Sequence, residues 1–378
     1  MNIYQLGKSW FSEQAGGGAD RVFAALMRHL SGPSTSVRGV VVGSAPTLSE
    51  PGATVSGIAS ETDGLWTRWR AVRRCVKNDF AVQSPDVVAG HFALYTAPVL
   101  DLLRDTPTVV HFHGPWAAES AAEGESLLKT RIKALLERLT YRSGHRFIVL
   151  SDAFRTVLCT RYGISDDRVH VVPGGIDADR FSLDASPSTA RERLGWPTNR
   201  PIILSVRRLA RRMGLSNLIT AMERVVQAHP DALLLIAGKG PLREELAAMI
   251  EAKNLEQHVR LLGFVPEADL PFAYRAATLS IVPTVEHEGF GLITIESLAA
   301  GTPVLVTPVG GLPETVRNLS RNLILPDAET ETVGTALVSA LDGSLSLPGP
   351  EQCRHYARSR FDWPVIASKV RDVYVDVL

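Results

Sequence analysis

Three cysteines in 378 residues, Cys75, Cys159 and Cys353, are too few and too scattered for a disulfide framework. No CxxC pair offers a zinc or redox site, so they read as reduced thiols of a cytoplasmic protein. No apolar run approaches the roughly 20 residues of a membrane-spanning helix, which limits any membrane contact to a peripheral one. The start, Met1-Asn2-Ile3-Tyr4-Gln5-Leu6-Gly7, lacks the basic region and apolar segment of a signal peptide. Neither sign of charge is in excess: 40 Lys and Arg balance 40 Asp and Glu, and the electrostatic footprint of a nucleic-acid partner is missing. Neither half carries a GxGxxG between a strand and its helix, which disfavours an ordinary dinucleotide oxidoreductase. Internal repeats and low-complexity tracts are absent as well.

What is present is an ordinary globular composition, 45% hydrophobic and 21% charged, in a chain long enough for two cores. Short apolar runs alternate with amphipathic stretches. Buried strands are predicted at 37–42, 87–89, 108–112, 146–150 and 169–172, and a second set at 202–206, 232–237, 259–262, 279–282, 304–307 and 322–325. Helix-length patterns between them include 20–30, 128–141, 215–228 and 242–253. This alternation implies parallel sheets covered on both faces. The Pro-containing polar segment 182–200 interrupts it and marks the inter-domain boundary. The last stretch, 352–378, reads as helical with a break at Asp362-Trp363-Pro364, where proline suits a first helical turn.

One run is denser in chemistry than the rest: Glu286-His287-Glu288-Gly289-Phe290-Gly291-Leu292-Ile293-Thr294-Ile295-Glu296, continuing through Ala299-Ala300-Gly301-Thr302-Pro303-Val304. A glycine-bearing turn opens an apolar helix, so unpaired N–H groups and the positive dipole end offer a seat for phosphate. With a helix starting near Phe290, Glu288 precedes its N-terminus and Glu296 lies about two turns in. The two carboxylates can touch opposite ends of one elongated ligand, which first suggests a nucleotide-sugar site. Gly16-Gly17-Gly18, ahead of the helix at 20–30, is a second loop where backbone can approach a diphosphate or an acceptor. His111 and His113 end a buried strand in Val109-Val110-His111-Phe112-His113-Gly114-Pro115-Trp116, and His91 ends another. A basic, aromatic stretch, 65–77, reads first as a solvated helix face with tryptophan turned inward, though it also suits a membrane surface or a lipid-pyrophosphate acceptor.

Together these motifs resemble the family 4 retaining glycosyltransferases over almost the whole chain, most densely between Pro173 and Glu314. The resemblance implies an α/β fold of GT-B architecture, two doubly wound Rossmann-like domains facing each other across a cleft. The N-terminal, acceptor-side domain would span 1–180, with a C-terminal helix at about 362–378 packing back on it. The nucleotide-sugar domain would span 181–361. In that family Glu288 would bind donor-sugar hydroxyls and Glu296 the two ribose hydroxyls. Backbone amides of Phe290, Gly291 and Leu292 would meet the sugar and diphosphate, and Phe264 and Val265 would meet the nucleobase through backbone groups. Gly16, Gly17 and Gly18 match the family's N-terminal glycine loop, and His113 its histidine beside the transferred sugar.

The segment Arg207-Arg208-Leu209-Ala210-Arg211-Arg212-Met213-Gly214 resembles the family's diphosphate-binding strand end, where an arginine is followed five residues on by lysine. Arg208 matches, but Met213 stands at the lysine position, so Arg212 or Arg211 is the expected substitute. Asp177 and Asp179, in Val172-Pro173-Gly174-Gly175-Ile176-Asp177-Ala178-Asp179, look like a metal-binding DxD. The family motif explains them as loop structure, and no bound metal or other cofactor is expected.

The implied reaction is hexose transfer with retention, from a UDP-, GDP- or ADP-sugar to a glycan or lipid-linked glycan, in bacterial surface polysaccharide synthesis. Catalytic parts fall to Glu288, His113 and Arg208. The protein would be cytoplasmic, with a peripheral contact at the inner membrane face. A nucleotide-sugar epimerase and a non-catalytic GT-B binding partner stand as alternatives, the latter favoured only by Met213.

Overall fold

The computed structural model describes residues 1–11, 17–122 and 124–378; Gly16 lies outside them. The chain forms two compact units, Met1–Gly175 with Trp363–Leu378, and Ile176–Asp362. The division therefore falls ahead of the boundary expected at 180–181, for a local reason. Ile176 N donates to the Phe361 carbonyl (2.8 Å), Ala178 N donates to Asp362 Oδ1 (3.1 Å), and buried Phe181 packs near Tyr274. These contacts bind 176–181 to the second unit.

The first unit holds β1 (Asn2–Leu6), β2 (Ser36–Val42), β3 (Ala53–Ile58), β4 (Val87–Gly90), β5 (Thr108–Phe112), β6 (Arg146–Val149) and β7 (Val169–Val171). They form one parallel sheet in the order β3-β2-β1-β4-β5-β6-β7. The second unit holds β8 (Ile202–Val206), β9 (Leu233–Ala237), β10 (Val259–Gly263), β11 (Leu279–Val282) and β12 (Val304–Val306), parallel in the order β10-β9-β8-β11-β12. Helices between successive strands, β2 and β3 excepted, make each unit doubly wound, as strand–helix alternation predicts.

Interior strands β5 and β9 are buried along their whole length, and β9 is accordingly apolar without a break. The helix Leu215–Ala228 buries Leu215, Leu218, Ile219, Met222 and Val225 on one stripe at helical spacing. Three strand assignments depart from the sequence reading, the first being β1, a mostly buried strand outside the predicted runs. β3 lies at a sheet edge with most of its residues at least partly exposed, so Thr54, Ser56 and Gly57 hide it from an apolar-run criterion. At 322–325 there is no strand: a 3₁₀ turn, Arg321–Leu323, is followed by a lone bridge from Ile324 to Val306.

After the helix Pro350–Phe361, the helix Trp363–Asp376 completes the first unit's core. Its Trp363, Ile366, Ala367, Val370 and Tyr374 cluster with Val22 and Leu26 of the helix Gly18–His29 and with Leu30, which caps it. A Cβ on Gly175 would run into the Trp363 indole, so a glycine is required there. Each sheet reverses its strand order once, between β1 and β4 and between β8 and β11. Open parallel sheets bind ligands outside the strands' carboxyl ends at such a reversal.

Candidate functional site

At the reversal in the second unit, β8 runs directly into Arg207, whose N–H donates to the Ala237 carbonyl at 2.8 Å. Arg207 is only 9% exposed, whereas Arg208 beside it faces solvent. Arg207 Nη2 donates to Glu288 Oε2 at 2.6 Å and to Thr284 Oγ1 at 2.7 Å, and touches Met213 Sδ. Thr284 follows β11, so strand ends on both sides of the reversal grip one guanidinium. The ion pair of Glu288 among the described residues is with Arg207. Sequence reasoning passed over Arg207, although an arginine doubled at a strand end next to a missing cation was a usable signal.

The two arginines expected to replace the lysine have other partners. Arg212 Nη1 donates to the His287 carbonyl at 2.6 Å, while the Arg212 carbonyl accepts from Val285 N at 2.9 Å. It therefore clamps the loop carrying His287, a non-glycine residue held at φ +50°. Arg211, well exposed, pairs with Glu245 at 3.6 Å. From the other side, Gly311 N donates to the Glu288 carbonyl at 2.9 Å, and a Cβ on Gly310 (φ +56°) would collide with that same backbone. The Gly310-Gly311 turn thus buttresses Glu288.

The helix bearing the second carboxylate begins at Leu292, later than the expected Phe290, because Gly291 adopts φ +84° as its cap. Phe290 is instead buried, 5.9 Å from the Phe361 ring. First-turn N–H groups of such a helix have no intrahelical acceptor and suit an anion. Glu296 is 3% exposed, and its Oε2 accepts from Tyr274 OH at 3.0 Å. Phe264 and Val265 follow β10, with Lys239 Nζ 4.8 Å above the exposed Phe264 ring. Asp177 accepts from Arg180 N at 3.0 Å as a helix cap, and Asp179 pairs with Arg358 at 2.6 Å, so both serve loop structure.

The first unit's reversal carries three histidines. His91 follows β4, its N–H donating to the Leu6 carbonyl at 2.9 Å. Its Nε2 meets Gln5 Oε1 at 2.9 Å, and its Nδ1 meets His113 Nε2 at 3.2 Å. With Gln5 presenting its oxygen, His91 donates through Nε2 and accepts the Nε2 proton of His113. A neutral His113 then keeps a lone pair at Nδ1. His111 bonds Tyr374 OH at 2.7 Å.

Burial, reinforced by their mutual proximity, drives His91 and His111 well below the ordinary histidine range. Burial pushes His113 down to about 4, against the opposing charge of Asp20. Asp20 is itself fixed by Gly17 N at 3.1 Å and Ser9 Oγ at 3.0 Å. Gly17 caps the helix Gly18–His29 with Gly18 beside it, both exposed. Ring nitrogens of the three histidines lie within 4.8 Å of one another. The His91 and His111 rings nevertheless stack, with centroids 4.1 Å apart and planes 14° from parallel. A metal lies in the plane of each imidazole that binds it, and two stacked planes share no such point.

Two helices of the first unit expose apolar surface. On Leu65–Val82, Trp66 is 72% exposed with Trp69 edge-on to it. On Leu127–Ser143, Leu128, Ile132, Leu135 and Leu139 form an exposed stripe among Lys129, Arg131, Arg138 and Arg142. Arg138 and Arg142, with Arg161, Tyr141 and Tyr162, line a pocket of about 220 Å³. No described helix is long and apolar enough to cross a membrane.

Among known proteins, residues 187–360 match the family described as Glycosyl transferases group 1, and residues 16–180 match Glycosyltransferase Family 4. Over 310 residues the chain is 30% identical to D-inositol 3-phosphate glycosyltransferase of Corynebacterium jeikeium (strain K411), covering 78% of this chain and 73% of that protein. A protein of the same description from Corynebacterium kroppenstedtii is 30% identical over 257 residues, 65% of this chain and 56% of the relative. The chain spans about half the length of that relative and of other curated proteins it matches. Among solved structures, the sucrose-phosphate synthase of Thermosynechococcus elongatus shares the fold, with a TM-score of 0.80 at 20% identity over 100% of this chain and 98% of that one.

Proposed function

The chain belongs to glycosyltransferase family 4, and from that premise we propose a retaining hexosyltransferase that uses a nucleoside diphosphate sugar and a glycan or glycolipid hydroxyl. Synthesis of a bacterial surface polysaccharide is the proposed setting. The observation that carries the reading is the convergence at β8 and β11: a carboxylate held by Arg207, an exposed Arg208, and a helix opening at Gly291 with Glu296 inside it. Vicinal sugar hydroxyls donate to carboxylates, and diphosphate is balanced by guanidinium and helix-end amides.

In this reading Glu288 takes hydroxyls of the donor sugar and Glu296 those of the ribose. Amides of Phe290, Gly291 and Leu292 face the diphosphate, while Phe264 and Val265 flank the base. Gly17 and Gly18 supply close backbone approach, and His113 offers its lone pair to a hydroxyl of the transferred sugar. The acceptor oxygen bonds the anomeric carbon on the face from which the phosphate departs. The acceptor's proton passes to the departing phosphate oxygen, giving a glycoside and a nucleoside diphosphate. Arg208 and helix-end amides stabilise the charge that develops there, with no metal in the scheme.

The exposed leucine stripe of Leu127–Ser143, framed by cations, supports a peripheral contact with anionic lipid more directly than the stretch 65–77 does. Flotation with anionic vesicles at low salt should carry the protein upward; protein left at the bottom would remove the membrane part.

Transfer itself is tested by incubating the chain with UDP-, GDP- and ADP-sugars and candidate acceptors, with and without EDTA. Acceptor-dependent release of nucleoside diphosphate and a product with the donor's anomeric configuration are expected. Binding without release favours a non-catalytic partner, and a changed free nucleotide sugar indicates an epimerase. An inverted product, or a trapped covalent glycosyl–enzyme, would overturn the mechanism.

A further inference from the structure

The doubled arginine at the end of β8 divides its labour. Arg208 goes to solvent, and Arg207 turns into the unit, where its side chain is 7% exposed and that of its partner Glu288 is 15% exposed. We propose that Arg207 is the positioning residue of the donor site. It holds the Glu288 carboxylate by one oxygen and supplies, from the strand end, the positive charge that Met213 cannot supply from the far end of the same connection. The proposal rests on the reading of Glu288 as the donor-sugar carboxylate and deepens it.

Three observations carry it. Glu288 engages Arg207 through Oε2, leaving Oε1 free of this contact to accept from a ligand hydroxyl. Thr284, fully buried after β11, fixes the same Nη2 and so aims the guanidinium. Arg207 Nε is buried and has no hydrogen-bond partner among the described residues. A guanidinium desolvated this far without full pairing is poor design for stability alone, because buried pairs of this kind add little net stability.

Met213 fits the same logic. Its sulfur touches Nη2, so a lysine at 213 would bring a second cation against Arg207 with one carboxylate to offset both. A neutral, polarisable thioether fills that space without repulsion. The residues at 207 and 213 thus form a matched pair, the cation moved from one end of the connection to the other. Arg207 acts through Glu288 and through its field, without touching the donor.

The test uses the full chain as wild type, Arg207→Ala, Arg207→Lys, Met213→Lys and Arg207→Ala/Met213→Lys. UDP, GDP and ADP are titrated in turn by calorimetry, kcat and KM are measured with the responding sugar nucleotide, and Tm is recorded for each protein. Arg207→Ala should lower kcat/KM by roughly 30-fold or more, the scale expected for one partner of a buried charge pair. Arg207→Lys should recover part of this through KM. Met213→Lys alone should gain nothing, yet in the Arg207→Ala background it should restore about tenfold.

An Arg207→Ala protein that binds and turns over as the wild type does would overturn the proposal. So would Met213→Lys improving both backgrounds by the same factor. Should Arg207→Ala not fold, Arg207→Lys and Met213→Lys carry the decision, since unchanged KM in the first or a gain in the second sinks it. A wild type that binds no nucleotide sinks the donor-site reading itself, whereas wild-type binding with indifferent variants sinks only Arg207.

Discussion

His111 Nε2 and Tyr374 OH lie 2.7 Å apart although 263 positions separate them in sequence. The bond ties the last helix to the end of β5, directly beneath His91 and His113. Tyr374→Phe leaves a buried ring nitrogen unsatisfied and should cost about 1–3 kcal/mol in urea unfolding. Unchanged stability would mean the pair contributes nothing net. Activity should fall less than stability, because Tyr374 bonds His111 and not His113, the histidine of the proposed donor site.

The same histidines make stability depend on acidity. The unfolded chain binds these protons near the ordinary value of 6.5, the folded His113 only near 4. Between those values the unfolded state holds more protons, so stability rises with pH and is lost as pH falls from about 6.5 toward 4. His91 and His111 shift in the same direction and add to it. The His113 contribution is at most on the order of 3 kcal/mol. Tm should therefore drop from pH 7 to pH 5, and His113→Gln should flatten that slope; equal slopes would contradict the assignment.

Glu288 and Glu296 should separate kinetically. On the proposed reading, Glu288→Ala takes away a contact to the reacting sugar and should lower kcat by about 10²-fold or more. Glu296→Ala should act mainly on donor KM, roughly tenfold or greater, with smaller loss of kcat. Because Glu296 also accepts from Tyr274 OH, Glu296→Gln is the control that keeps the buried hydroxyl partnered. Equal effects of both glutamates on kcat would contradict the division.

Arg208→Ala should raise the donor KM or abolish transfer, since it removes an exposed cation at the strand end. Arg212→Ala should behave differently. It frees the His287 carbonyl and loosens a loop, at a cost of about 1 kcal/mol, and should alter KM only modestly. If Arg212→Ala matches the loss in Arg208→Ala, Arg212 contacts the donor after all.

Gly310→Ala adds a Cβ that meets the Glu288 backbone, at a φ of +56° that disfavours side chains. Destabilisation of about 1–3 kcal/mol is expected. The displaced Glu288 should depress kcat/KM beyond what an equally destabilising change elsewhere in the unit causes. Activity tracking stability alone would count against the buttress.

Much of this was readable along the chain. Unbroken apolar runs such as Leu233–Ala237 mark strands buried on two faces, and the stripe from Leu215 to Val225 marks a helix, because period and burial are written locally. Edge strand β3 escaped because exposure relaxes the demand for apolar residues, and 322–325 misled because apolar content does not reveal pairing. Glu288 and Glu296 were legible as a pair because glycines and a helix pattern surround them.

By itself, then, the sequence determined the α/β alternation, two parallel cores and the glycine-opened helix of the 286–304 run, all of which depend on neighbours within a few positions. Only the tertiary structure decided which adjacent arginine is buried, and that it meets Glu288 and Thr284 of the loop after β11 as well as Met213 of its own loop. It also decided that three scattered histidines stack and that burial lowers their pKa values. The face a charged side chain takes, and the solvent it gives up, are set by strands that meet only after the sheet has formed.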